Sequence, residues 1–349
     1  MTEEKFVGIF PYNGNAYLNN VLFDPKRNKG IEASIFAYLK KFLKKRNINI
    51  NTYDVYTKEP VDKYVYFDLP YPWNLRAWQK IILNRGKNIL ICNEPPIVIP
   101  FNYMRIFHVF FKKVYIWYDK LVDNKKYFKI RLPKSSVGID TKPKNFKKKK
   151  FLVLINKNMS SFYPFQILSH FGRELYSDRI KSIEFFERHT PNDFFLYGRG
   201  WNKPKKNNLT KRFLGFKKYS TYRGEIDDKI ELLSNFKYSL CFENLADVTG
   251  YITEKIFDCL KAKCVPIYWG ATDIEKYIPK NCFIDFRDFG NYGKLLSYLN
   301  SIDEDAYNNY VENIEKLLSN KKFIDMWFED SFAKFFLEDI LEIKNHEKS

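Results

Sequence analysis

The chain has 349 residues, of which 45% are hydrophobic and 18% are aromatic, and 59 Lys and Arg against 41 Asp and Glu give a formal net charge of +18. This length fits two domains of ordinary size or one large one, and this apolar content excludes an intrinsically disordered chain. No stretch of about 18 uncharged apolar residues is present, so no transmembrane helix is expected. The opening MTEEKFVGIFPY begins with acids and a strand-like run, unlike a signal peptide. We therefore expect a cytoplasmic protein, or one that is peripheral at the inner membrane surface.

The first part of the sequence alternates predicted strands with predicted helices. The strands are Phe6 to Phe10, Ile48 to Tyr56, Lys63 to Asp68, Asn88 to Cys92 and Lys113 to Trp117, and the helices are Ile31 to Lys45 and one that ends near Arg85. This alternation is typical of a parallel α/β sheet. The following segment, from Pro133 to Lys150, has the Pro, Gly, Ser and Lys content of a linker and is the best domain boundary.

The second part repeats the pattern. The predicted elements are a strand Phe151 to Ile155, a helix Tyr176 to Glu187, a strand Phe194 to Tyr197, a helix Ile226 to Leu233, helical sequence from Tyr292, and a terminal helix Met326 to Ile340 that packs back onto the body. The expected domains are an N-terminal α/β domain over residues 1–145, a C-terminal α/β domain over 150–325, and a C-terminal helix and tail over 326–349.

The stretch from Tyr238 to Asp288 predicts a strand, a polar loop, a helix and a second strand in direct succession. Ligands of parallel sheets bind beyond the carboxyl ends of the strands, where this loop would lie. Thr253 is a suitable N-cap for the helix, and Lys255 lies in its first turn. The helix dipole and the Lys255 ammonium favour an anion there, and a diphosphate fits that description. An ordinary capped surface helix with a solvated lysine is the alternative.

Other chemistry-bearing residues give weaker signals. The five cysteines are an odd number without a C-x-x-C pair, and the four histidines are scattered, so buried free thiols and no structural zinc are expected. The basic runs KKFLKKR and NFKKKK could contact an anionic membrane surface. Nucleic-acid binding is the rival interpretation of these runs, but the aromatics recur at core-like spacing, so no nucleic acid is expected as a partner.

The segment FENLADVTGYITEKIFD, followed by VPIYWGATDIEKYIP and CFIDFRDF, resembles the signature of the α-1,3-fucosyltransferases, glycosyltransferase family 10. In that family a FEN segment, a Y-[IV]-T-E-K helix start and a VP-[IV]-x-x-G strand end occur in this order. The upstream segment from INKNMSS to GRGW is more weakly similar, and in the first half only CNEPP is. The resemblance implies a GT-B fold, in which two Rossmann-like α/β domains face a cleft, the acceptor-binding domain over residues 1–145 and the donor-binding domain over 150–325. It also implies inverting transfer of L-fucose from GDP-fucose to an N-acetylglucosamine- or glucose-containing glycan.

The resemblance implies two catalytic carboxylates. Glu94 follows the strand NILIC and precedes two prolines, in a segment similar to the family's Glu-x-Pro region, and would be the general base. A surface glutamate before a Pro-rich turn is the alternative. Glu254 would accept hydrogen bonds from fucose hydroxyls or stabilise the positive charge that develops on the ring, unless it only balances Lys255.

The donor site implied by the resemblance is larger. Lys255 would bind the diphosphate, helped by Arg179, which lies in a segment similar to the family's SxRxxAIxFF pattern with Ser182 in place of the Ala. Other donor-binding candidates, assigned to the diphosphate, the ribose, the sugar or the loop itself, are Arg173, Arg223, Glu243, Asn244, Tyr251, Thr253, Tyr197, Gly198 and Gly200. No cofactor is required beyond GDP-fucose as donor substrate, and a divalent cation would be non-essential, because cationic side chains can neutralise the leaving diphosphate.

Three alternatives remain open from the sequence. The chain could be a GT-B transferase with another nucleotide-sugar donor, because the diphosphate argument does not identify fucose. It could be a non-catalytic glycan- or nucleotide-binding protein, which would tolerate loss of Glu94. A basic nucleic-acid-binding protein is the third, and it would bind DNA or RNA in a steeply salt-dependent way.

Overall fold

The protein folds around two parallel β-sheets, one from each half of the chain. The structure is a computed structural model that describes residues 4–11, 14–28, 33–56, 58–160, 171–202 and 217–344. The first residues of the helix predicted from Ile31, residues 161–170 of the weakly similar segment and the tail 345–349 lie outside the described residues. Both sheets confirm the predicted α/β class.

The first sheet has six parallel strands in the order β2-β1-β3-β4-β5-β6. They are β1 (Lys5–Phe10), β2 (Ile48–Thr52), β3 (Lys63–Phe67), β4 (Asn88–Cys92), β5 (Lys113–Ile116) and β6 (Tyr127–Lys129). Its helices are α1 (Ala33–Lys44), α2 (Leu75–Leu83) and the short α3 (Arg105–His108). All five strands predicted in this half are present, and β6 adds a sixth that the sequence analysis did not identify.

The second sheet has five parallel strands in the order β13-β12-β10-β7-β9. Its strands are β7 (Lys150–Ile155), β9 (Phe194–Tyr197), β10 (Phe236–Phe242), β12 (Val265–Trp269) and β13 (Ile284–Asp285), and β8 (Arg173–Glu174) and β11 (Leu245–Ala246) form a separate antiparallel pair. The helices are α4 (Tyr176–His189), α5 (Lys229–Ser234), α6 (Glu254–Lys261), α7 (Tyr292–Ser301) and α8 (Glu304–Ser319). The strand-loop-helix-strand prediction for Tyr238 to Asp288 corresponds to β10, α6 and β12.

The segment predicted as a linker is packed at its start. Lys134 and Ser135 are buried, and the Lys134 backbone N–H donates to the Trp327 carbonyl at 2.8 Å. The Ser135 hydroxyl lies 2.7 Å from the Ser34 hydroxyl, and the Lys261 Nζ donates to the Ser135 carbonyl at 3.1 Å. These contacts join α1, α6 and the C-terminal helices. The start of this segment therefore has the composition of a loop but forms a buried junction between the two halves.

The C-terminal segment packs back onto the body of the protein, as predicted, but it is not one helix. Helix α9 (Lys321–Trp327) ends where Phe328 adopts extended backbone, and α10 (Glu329–Phe335) continues as a π-helical turn, Phe336–Ile340. Phe332, Phe336, Leu337 and Ile340 share a buried cluster with α1 and β1–β4. The buried Phe328 side chain lies against Phe257 of α6, so the break lets the same segment pack on both halves.

The two predicted membrane-contact runs are partly buried. In NFKKKK the Lys149 side chain is buried and donates to the carbonyls of Phe236 and Lys263, and burial lowers its pKa to about 8. In KKFLKKR both Phe42 and Leu43 face the core. None of the helices that the structure describes combines the length and the hydrophobicity that spanning a membrane requires.

Candidate active site

A cleft of about 230 Å³ lies between the two halves, at the carboxyl ends of both sheets. The loop after β4 enters it from one side, and the loop after β10 together with the start of α6 enters it from the other. Its polar lining consists of Asn93, Glu94, Lys134, Ser135, Asn244, Thr253, Glu254 and Lys255. The structure therefore brings together Glu94, Asn244, Tyr251, Thr253, Glu254 and Lys255 from the predicted set, although Glu94 is more than 140 residues away from the others in sequence.

The start of α6 is held by a buried carboxylate. Thr253 is the N-cap, as predicted, and its hydroxyl accepts from the Lys255 backbone N–H at 3.4 Å. The fully buried Glu243 carboxylate accepts from the Thr253 N–H at 2.8 Å and from the Thr253 hydroxyl at 2.6 Å. It also accepts from the Lys255 Nζ at 3.2 Å. Of the two predicted roles for Glu243, these contacts support orientation of the loop and leave its carboxylate no exposure for a ribose.

Lys255 and Glu254 form a charged pair that faces the cleft. The Lys255 Nζ lies 3.8 Å from a Glu254 carboxylate oxygen, and the Glu254 side chain is the more exposed of the two. Burial opposes ionisation of Glu254, but attraction to Lys255, Lys229 and Lys134 prevails and lowers its pKa to about 2. Burial also opposes the charge on Lys255, yet Glu254 and Glu243 raise its pKa above the ordinary value. Glu254 is thus an anion, and Lys255 a cation, throughout the neutral pH range.

Asn244 connects this loop to a buried arginine. The Arg179 guanidinium donates to the carbonyls of Phe242 and Glu243 at 2.7 and 2.6 Å, and to the Asn244 side-chain oxygen at 2.9 Å. Arg179 is buried beneath the end of β10 and is not part of the cleft lining, whereas Asn244 is. The structure gives Arg179 a positioning role at the end of the strand, and its contact with a diphosphate stays a prediction.

Tyr251 and the preceding glycine form a contact between the two halves. The Tyr251 ring is buried, with its centroid 4.8 Å from that of Trp117, which follows β5. Gly250 has a φ of 78°, and a Cβ there would lie 2.3 Å from the Trp117 carbonyl oxygen. Only glycine satisfies both the backbone conformation and this close approach. A direct contact of Tyr251 with sugar or base stays a prediction.

The remaining donor candidates lie elsewhere. Tyr197 ends β9, and Gly198, whose φ is 123°, packs against the Asn156 backbone so closely that a Cβ would lie 2.1 Å from its carbonyl oxygen. The exposed Arg223 donates to the Ser220 carbonyl at 2.6 Å, and Arg173 pairs with Asp178 at 2.8 Å. Tyr197, Gly198, Gly200, Arg173 and Arg223 do not line the cleft, so their contact with a donor also stays a prediction.

Glu94 is half-buried, and its backbone is fixed by a residue that the sequence analysis did not select. One Asp68 carboxylate oxygen accepts from the backbone N–H groups of Asn93 and Glu94 at 2.7 and 2.9 Å and from the Asn102 side-chain amide at 2.5 Å. The Tyr103 hydroxyl donates to the Glu94 carbonyl at 3.0 Å. Asp68 follows an apolar strand directly, which is the one sequence signal that could have identified it.

Lys134 is the second residue that sequence reasoning missed. Its Nζ donates to the Ile252 carbonyl at 3.0 Å and lies over the rings of Phe257 and Trp327, at 5.3 and 5.6 Å from their centroids. It adds positive charge to the Glu254 side of the cleft. Within the described part of the chain, no group of three His, Cys, Asp or Glu residues is arranged to hold a metal ion.

Comparison with known proteins gives the same assignment as the sequence motif. A family model described as glycosyltransferase family 10 (fucosyltransferase) C-term matches residues 167–332. An alpha-(1,3)-fucosyltransferase of Helicobacter pylori is 38% identical over 74 residues, which are 21% of this chain and 15% of that protein. The GDP-fucose protein O-fucosyltransferase 3 of Bos taurus is 33% identical over 104 residues, which are 29% of this chain and 22% of that protein. The aligned segments thus span less than a quarter of either relative.

The fold comparison covers the whole chain. A crystal structure of an alpha1,3-fucosyltransferase with GDP superposes with a TM-score of 0.58 at 18% identity, over 100% of this chain and 94% of that one. At this identity the likeness establishes the fold alone. It confirms the predicted GT-B arrangement of two parallel-sheet halves around a cleft.

Proposed function

Because the chain carries the C-terminal domain of glycosyltransferase family 10, the fucosyltransferases, over residues 167–332, we propose that it is an inverting fucosyltransferase. It would move L-fucose from GDP-fucose to a hydroxyl of an N-acetylglucosamine- or glucose-containing glycan, with α-1,3 linkage. One observation carries this proposal: Glu94 and the pair of Glu254 and Lys255 line the same cleft from opposite halves. Glu94 lies outside the family match, so its assignment rests on this geometry.

Each half of the cleft would supply one half of the chemistry. Glu94 would take the proton from the acceptor hydroxyl as that oxygen attacks the anomeric carbon of fucose. The bond between that carbon and the diphosphate oxygen breaks, and GDP leaves on the opposite face, which inverts the anomeric configuration. Lys255 and the positive end of α6 would stabilise the charge on the leaving GDP. Glu254, anionic at neutral pH, would stabilise the positive charge that develops on the sugar ring.

The comparisons with relatives bear on the donor but not on the acceptor class. The two relatives named above are an alpha-(1,3)-fucosyltransferase and a GDP-fucose protein O-fucosyltransferase, so they support GDP-fucose as donor and leave the acceptor to experiment. We expect activity without an added cofactor, because two cationic side chains, Lys255 and Lys134, already line the cleft. A divalent cation is therefore expected to be dispensable, and activity should persist in EDTA. We place the enzyme in the cytoplasm or at the inner membrane surface.

A transfer assay with a donor panel tests this function. The chain is incubated with GDP-fucose and with N-acetyllactosamine, lactose and N-acetylglucosamine acceptors, and products are identified by mass spectrometry and NMR. UDP-glucose, UDP-galactose and GDP-mannose are the matched alternative donors. The proposal predicts a fucosylated product from GDP-fucose alone. Transfer from another donor would assign a different GT-B activity. The absence of both transfer and donor hydrolysis would contradict the proposal.

A further inference from the structure

One face of the first half carries most of the exposed large apolar side chains of the described residues. It consists of the α2 and α3 helices and the segment before α2, and we call it the α2–α3 face. Leu75, Leu83 and Ile106 are 76%, 75% and 73% exposed, and Trp73, Ile82 and Val109 are also more than half exposed. Exposed apolar patches of this kind mark a site of interaction.

The apolar residues of this face are contiguous. On α2, Ala77, Trp78 and Ile81 are turned to the core, whereas Leu75, Ile82 and Leu83 recur at helical spacing on the opposite side. The Trp78 ring joins α2 to α3, with centroid distances of 5.1 Å to Phe107 and 6.0 Å to Phe110. The segment before α2 joins the same face through Phe101. The centroid of the Phe101 ring lies 6.3 Å from that of Trp73 and 6.1 Å from that of Phe107.

The charge around this face has a single sign. From Leu69 to Tyr118 the only acidic residue is Glu94, which lies in the cleft, whereas the same segment holds seven Lys and Arg. Arg76 and Lys80 border the apolar stripe of α2, and Arg85 and Arg105 flank it. Among the described residues no carboxylate forms an ion pair with any of these four. Their charge is therefore available to an anionic surface.

We propose that the α2–α3 face docks on an anionic membrane surface, with its exposed leucine and isoleucine side chains inserted among the lipid headgroups. Apolar side chains rimmed by Lys and Arg bind such surfaces through both insertion and electrostatic attraction. The NFKKKK and KKFLKKR runs lack this combination, because Phe42 and Leu43 are buried and Phe146 is partly buried against the core of the second half. The inference goes beyond the proposed transferase activity and does not depend on it.

Vesicle binding by the full chain tests this proposal. Co-sedimentation is measured with vesicles of phosphatidylcholine alone and of phosphatidylcholine mixed with phosphatidylglycerol. We expect binding to the mixed vesicles that weakens as salt is added. The double variant Leu75→Glu with Leu83→Glu should lower that binding by at least about tenfold. Arg76→Ser with Lys80→Ser should lower it by about 30-fold, given the contribution of each basic residue near such a surface.

Two control variants carry matched changes elsewhere. Val137→Glu alters another exposed apolar residue, and Lys147→Ser with Lys148→Ser removes the same charge from the NFKKKK run. Both should bind vesicles like the unaltered protein, and urea unfolding checks that every variant is folded. The proposal would be overturned if all variants bound equally, if binding did not depend on phosphatidylglycerol, or if the protein did not bind vesicles. Self-association that Leu75→Glu abolishes, without vesicle binding, would also overturn it, because a second copy would then be the partner.

Discussion

Glu243 anchors the start of α6 at the edge of the cleft. Its carboxylate has no exposure and accepts from both polar groups of Thr253 and from the Lys255 ammonium. A buried carboxylate is tolerated only when its hydrogen bonds and charge are satisfied, and three donors satisfy this one. Glu243 therefore fixes where Lys255 points.

Glu243→Gln is expected to destabilise the protein by about 3 kcal/mol, because one side of a buried ion pair is removed while Lys255 stays charged. Glu254 remains near Lys255, which keeps the effect at the low end of the range for such pairs. Urea unfolding at neutral pH measures it. Glu275→Gln, at an exposed carboxylate 4.0 Å from Lys280, is the control and should change stability by less than about 0.5 kcal/mol. Equal stability of the two variants would contradict this role for Glu243.

Asp68 has the corresponding position on the opposite side of the cleft. It accepts two successive backbone N–H groups, of Asn93 and Glu94, and so fixes the loop that presents the candidate base. Its own backbone is left-handed, with a φ of 65°, a conformation that Asp and Asn adopt more readily than most residues. Asp68 acts through Glu94 and is a positioning residue.

Asp68→Ala is expected to lower kcat at least about tenfold while the affinity for GDP stays unchanged, because the loop of Glu94 is released and the start of α6 is untouched. Steady-state kinetics and calorimetry with GDP separate these two effects. Asp68→Asn, which keeps one acceptor oxygen, should recover part of the rate. Asp62→Ala removes a comparable acceptor for a backbone N–H, that of Phe6, away from the cleft and should leave kcat unchanged. A loss of GDP affinity equal to the loss of rate would contradict a positioning role.

At the scale of elements, the α6 region was predictable because its signals are local. The Thr253 cap, the Lys255 position and the apolar stripe lie within a dozen consecutive residues, so periodicity and capping rules identify them. Lys134 and Asp68 were not predictable in this way. Lys134 contacts Ile252, 118 positions away, and the Ser34 partner of Ser135 is 101 positions away. The local composition around Lys134 indicated a linker, and only these distant contacts make it a buried junction.

The contacts of Arg179 could not be predicted from its sequence motif. Its segment predicted a cation for the diphosphate, but its guanidinium donates to carbonyls 63 and 64 positions away at the end of β10. The terminal helix shows the same limit. Its break at Phe328 results from packing on two halves, and no Gly or Pro in the sequence marks it. Local patterns predicted which elements form, and tertiary contacts decided how their side chains are used.

The C-terminal element is expected to contribute strongly to stability. Phe336 is fully buried in the cluster that α1 and the first sheet form, so Phe336→Ala should cost about 3–5 kcal/mol of unfolding free energy. Urea unfolding followed by tryptophan fluorescence measures it. Lys334→Ala, in the same segment, removes a surface ion pair with Asp330 and should cost less than about 1 kcal/mol. Similar costs for both variants would mean that this segment does not pack as described.

At the scale of the molecule, the proposed chemistry requires both halves. The first half supplies Glu94, and the second supplies the start of α6, with Lys134 and the contact of Gly250 with Trp117 lying where they meet. Neither half alone contains a base opposite an anion-binding helix start. In the proposed mechanism the two halves therefore have separable roles, one in proton transfer and the other in donor binding.

A comparison of GDP affinity with kcat for one variant of each half tests whether these two roles are separate. Glu94→Gln should lower kcat by about 10²–10⁴-fold and leave GDP affinity, measured by calorimetry, unchanged. Lys255→Ala should weaken GDP binding and lower kcat together, and Lys280→Ala, at an exposed lysine, should change neither. Near-normal turnover of Glu94→Gln, or unchanged GDP affinity of Lys255→Ala, would contradict this division of roles between the two halves.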